Sequence, residues 1–95
     1  MRFDETACFE VPESVHARPF DDEIVLLDLA HGEYFALDDV GARIWEGLTA
    51  GRSLGGLCEA LLSSYDVDGL RLREDVASFA CDLVEKGLIR PRRAA

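Results

Sequence analysis

The sequence predicts an α+β fold, a small three-stranded antiparallel sheet followed by three helices. Three observations carry that expectation. Branched apolar residues dominate EIVLLDL (residues 23–29), and EYFAL (residues 33–37) alternates, as strands do. At Asp38 the period changes to 3.6, with Val40, Ile44, Trp45 and Leu48 at helical spacing. Two more apolar stripes follow, separated by Gly51 and by the loop Asp66 to Gly69.

Each element has a local reason. Residues 1–13 read as a loose lead-in. Ser14 to Arg18 alternates weakly and predicts a short strand that Pro19 ends, because proline donates nothing to a ladder. Asp21 and Asp22 are turn residues before the strand 23–29. His31 and Gly32 make the hairpin turn, since glycine takes φ > 0 without penalty, and Glu33 to Leu37 returns. Asp38 or Asp39 caps the first helix, which stops before Gly51. Ser53 caps a second helix carrying Leu54, Leu57, Leu61 and Leu62 and ending near Tyr65. Gly55 and Gly56 weaken its start by about 1 kcal/mol each relative to alanine. The third helix runs from about Leu70 to Lys86, with Leu72, Val76, Phe79, Ala80 and Leu83 on its apolar face and Gly87 as its stop. Leu88 and Ile89 pack back on the core, and residues 91–95 form a basic tail. The domain is therefore 14–90, with the element content of a winged helix-turn-helix.

A chain of 95 residues holds one core. With 48% hydrophobic and 31% charged residues it has a globular composition. It has no apolar run of membrane-spanning length and no secretory signal, so the expectation is a cytoplasmic protein without a membrane partner. Three widely spaced cysteines make neither a disulfide framework nor a zinc site. No phosphate-binding loop, metalloprotease or nucleophile-elbow motif occurs. His16 and His31 have no spacing that brings them together, and capping explains the paired carboxylates. We expect no catalytic residue, no metal and no cofactor.

Residues 1–42 hold 11 acids against Arg2 and Arg18, a net charge of −9, and the remainder balances. That asymmetry fits a solubilising surface or the steering of a cationic partner. It argues against nucleic acid, which would meet a third helix with no Asn or Gln beside an acidic sheet. What the pattern does offer is a strand edge, whose open N–H and C=O groups accept an extended peptide or a second copy of the chain. If Phe35 and Leu37 face the helices, Tyr34 points outward.

These residues resemble the PqqD-like family, the recognition elements for ribosomally made, post-translationally modified peptides. The resemblance covers about residues 14–90. It rests on Gly32, Tyr34, Phe35, Leu37 and Asp38, on Gly41, Ala42, Ile44 and Trp45, and on Asp75, Val76 and Phe79 with Gly87, Leu88 and Ile89. Asp38 departs from the asparagine common there, and both cap helices. The resemblance implies a non-catalytic protein that binds the leader segment of a precursor peptide by strand addition and presents it to a modifying enzyme. It implies that Glu33, Tyr34, Phe35, Ala36 and Leu37 supply the ladder, and that Asp75, Val76, Phe79, Ala80 and Leu83 form a cleft wall. A free-standing chain resembles the discrete members, and a lasso-peptide setting is favoured, with a leader protease or cyclase as the enzyme partner. The alternatives are a radical-enzyme peptide or quinone-cofactor pathway, and a winged-helix DNA-binding regulator. A homodimer through the sheet edge is also expected to be accessible.

Overall fold

The computed structural model describes residues 6–92. Its elements run β1 (Phe9–Glu10), β2 (Val15–Phe20), β3 (Glu23–Asp28), β4 (Glu33–Leu37), α1 (Asp39–Thr49), α2 (Leu54–Ser64), α3 (Gly69–Glu85) and β5 (Arg90–Pro91). The main sheet is antiparallel in the order β2-β3-β4. Its three strands and three helices give the α+β architecture expected. Alternation decides which way the central strand faces: Ile24 and Leu26 are buried against the helices, and Val25 and Leu27 between them stay partly exposed.

The helix ends follow from their caps. Asp38 accepts a hydrogen bond from the Gly41 amide at 2.7 Å, Ser53 from Gly56 at 3.1 Å and Asp68 from Leu70 at 3.0 Å. At the end of α3, the Gly87 N–H donates to the Val84 carbonyl and the Leu88 N–H to the Leu83 carbonyl. With Gly87 at φ +75° this is a Schellman stop, and it turns Leu88 and Ile89 into the core. Among the described residues no helix is long and apolar enough to cross a membrane.

Five local expectations are corrected. Pro19 does not end β2; it pairs with Ile24 inside the strand. An outer strand tolerates it because the missing N–H is needed only on the side facing a neighbour. The lead-in is not loose where it is described: Phe9 is 1% exposed, and Phe9–Glu10 pairs with Arg90–Pro91 in a second, two-stranded sheet. The Arg90 guanidinium meets the Glu10 carboxylate at 2.8 Å, and the start of the expected tail is structured too, since Pro91 pairs with Phe9 and the Arg92 N–H donates to the Cys8 carbonyl at 2.8 Å. Residues 1–5 and 93–95 lie outside the described residues. Val40 is exposed, because α1 buries Gly41, Ala42, Ile44, Trp45 and Leu48 instead. Leu29 lies past the end of β3 and is exposed.

Candidate functional site

The free edge of β4 can be specified group by group. The Leu29 N–H donates to the Ser14 carbonyl, while the Val15 N–H turns the other way, to the Pro12 carbonyl at 3.0 Å. In an antiparallel pair, residues alternate between bonding their partner strand and pointing away from it. Given the observed register, the even-numbered residues of β2 therefore bond the odd-numbered residues of β3. The even-numbered residues of β3 bond Glu33, Phe35 and Leu37. What remains for an incoming strand is the N–H and C=O of Tyr34 and of Ala36. The five-residue ladder expected from sequence thus divides into three residues that hold β4 to β3 and two that face outward.

The side chains divide as well. Phe35 packs partly into the core and Leu37 is buried, while Tyr34 is 74% exposed. On α3, Val76 and Ala80 are fully buried and Leu83 nearly so. Those three belong to the core and not to a surface wall, because α3 must bury one full stripe against the rest of the domain. Phe79 and Asp75 are left accessible. Phe79 sits where β4 passes into α1: a methyl group placed on buried Gly41 would meet the Phe79 ring at 3.5 Å and Leu37 Cβ at 3.4 Å. Asp75 is exposed, and Arg71 approaches it at 3.9 Å, too far apart and too solvated to lock either side chain.

Beyond the end of β4 lies a mostly apolar cleft of about 410 Å³. Val40, Leu61, Tyr65, Val67 and Leu72 line it, with Asp68, Arg71 and Asp75 at its rim. The sequence reading assigned none of the apolar residues in this lining to a site. Only Val67, an apolar residue inside the polar loop Asp66 to Gly69, offered a signal in sequence, because Val40 reads there as part of the α1 apolar stripe and only the structure shows it half-exposed.

A second unanticipated feature holds the turn that aligns β4. Asp28 is 3% exposed, on the core-facing phase of β3. Its Oδ1 accepts the amides of Ala30 and His31, and its Oδ2 lies 2.8 Å from His31 Nδ1. The hydrogen bond to Asp28 raises the His31 pKa. The same bond, with the two backbone amides, holds the Asp28 carboxyl below its ordinary range against the opposing effect of desolvation. Gly32, at φ +65°, completes this turn. Among the described residues no group of three or more His, Cys, Asp or Glu side chains is placed to hold a metal ion.

Residues 23–89 match the model of the family described as coenzyme PQQ synthesis protein D, PqqD. Two solved structures are similar over nearly their whole length. One is TbiB1 in complex with the TbiA(beta) leader peptide, 34% identical, covering 90% of this chain and 99% of that one with a TM-score of 0.82. The other is lasso peptide synthetase B1 complexed with the leader peptide, 31% identical, covering 87% of this chain and 98% of that one with a TM-score of 0.81. No curated protein matches the chain.

Proposed function

The chain belongs to the PqqD family, and from that premise we propose that it binds the leader segment of a ribosomally made precursor peptide as a strand added to β4. The observation that carries this reading is its similarity to two chains solved with leader peptides. An outer strand with two outward-facing residues is the geometry that strand addition requires. In this reading the main chain of Tyr34 and Ala36 supplies the ladder. Phe79 and Asp75 form the near wall on α3, and the cleft from Val40 to Leu72 takes side chains beyond the end of the ladder. Affinity comes from the main chain and selectivity from the pockets.

The role is that of a non-catalytic presenter. The bound leader is delivered to a modifying enzyme of lasso-peptide assembly, a leader protease or cyclase, in the cytoplasm. Both similar structures are leader complexes of B1 proteins, one named for a lasso synthetase, which supports that setting over the quinone-cofactor one. The decisive experiment is isothermal titration of the chain with synthetic leaders of the precursors encoded beside its gene. One of them should bind with micromolar or tighter affinity. A heatless titration against every one of them, repeated by fluorescence anisotropy, would overturn the reading.

A further inference from the structure

We propose that Pro19 closes the β2 edge, leaving the sheet a single strand-accepting side at β4. The sheet has two outer strands, and by length and exposure β2 is the more inviting: six residues against five, all but Val15 exposed. Such an edge is a template for pairing with another chain. Its outward-pointing residues are the odd-numbered ones, Val15, Ala17 and Pro19, by the alternation that directs Ser14 into β3 and Val15 away from it.

Their donors are nearly all spent. The Val15 N–H is held by the Pro12 carbonyl at 3.0 Å. Pro19 has no N–H. Ala17 keeps the one N–H that an incoming strand could use along β2. A strand docking there would leave its carbonyl opposite Pro19 without a donor, and an antiparallel ladder needs a donor at every second residue. Because Pro19 stands in the outward phase, it removes nothing from the β2–β3 ladder. One position later, proline would break the bond that closes the hairpin over Asp21 and Asp22. The β4 edge carries no such block, since Tyr34 and Ala36 both present an N–H.

The consequence is valency. With one open edge, each chain accepts one added strand, and a second copy of the chain competes with a peptide for it. With both open, copies could join edge to edge without limit. This inference concerns the sheet and stands whatever peptide β4 takes, so a failed leader titration does not touch it.

The test uses the full chain at near-millimolar concentration in sedimentation velocity, with circular dichroism confirming the fold of each variant. Pro19→Thr restores an outward N–H with a polar strand-former, which avoids adding an apolar surface. The wild type should form nothing larger than a dimer, and Pro19→Thr should form species beyond the dimer. Adding Ala17→Pro to that variant should return it to wild-type behaviour by closing the edge again. A folded Pro19→Thr that sediments as the wild type does overturns the proposal. So does association beyond the dimer that Ala17→Pro leaves intact and Ala36→Pro removes, because that assigns the growth to β4.

Discussion

At Asp28 a carboxylate lies in the core-facing phase of a strand and yet has every reason to remain charged. Two amides and an imidazole converge on it. The raised His31 pKa means that the His31 contribution to stability is complete below the unfolded value of 6.5 and is lost as pH rises through the folded value. The lowered Asp28 pKa means that its contribution is complete above the unfolded value of 3.8 and is lost as pH falls through the folded value. The turn is therefore held best between those two values. Urea unfolding followed against pH should show stability declining on the alkaline side of 6.5, and His31→Gln should flatten that decline. An unchanged alkaline slope in His31→Gln would show that the pair does not couple to folding. Asp28 was partly legible in the sequence, since it falls in phase with Ile24 and Leu26. Its partners were not, because a four-residue turn folds back on its own strand only in three dimensions.

Among the elements, β4 carries the sharpest contrast, between neighbours that look alike in sequence. Phe35 bonds Leu26 across the β3–β4 ladder, whereas Ala36 faces the open edge. Phe35→Pro should therefore cost about 1–3 kcal/mol by leaving a β3 carbonyl unpaired, on top of lost packing. Ala36→Pro should keep the fold and lose the bound peptide. Circular dichroism with urea titration reads the first effect and isothermal titration the second. If Ala36→Pro stays folded and binds with wild-type affinity, the peptide adds elsewhere. The identity of β4 as a strand was plain from its alternation. Which of its amides are free was not, because that depends on the register of two other strands.

Across the whole molecule, the segment at Phe9–Glu10 is joined to the segment at Arg90–Pro91. Phe9 and Ile89 are both nearly fully buried, and the β1–β5 pair joins the segments that carry them. Two residues of that clip test which force matters. Phe9→Ala should lose about 3–5 kcal/mol in urea unfolding, a large share of the roughly 5–15 kcal/mol a domain has. Arg90→Ala removes an ion pair whose side chains are 59% and 37% exposed, and should cost less than about 1 kcal/mol. Equal losses would mean that the ion pair holds the two segments together as strongly as the buried ring does.

What the sequence by itself determined is everything set by neighbours along the chain. The strands from Glu23 and Glu33 come from their apolar patterning, and the three helices from their period, with Asp38 or Asp39 and Ser53 as caps for the first two; Asp68, read as loop, caps the third only in the structure. Resemblance in ordered strings supplied the family, which no composition could have indicated. Only the tertiary structure decided the rest. It placed Val76, Ala80 and Leu83 in the core, Phe79 half-buried at its margin and Asp75 outside, a division of one helical stripe that depends on how far the packing partners reach around α3. It carried β2 through Pro19, because whether a missing N–H matters depends on which side has a neighbour. It also paired Phe9 with Pro91 of β5, a pairing across nearly the whole chain that no local pattern encodes. Local periodicity specifies elements, while edges, register and burial are properties of pairs of elements, and those exist only once the chain has folded.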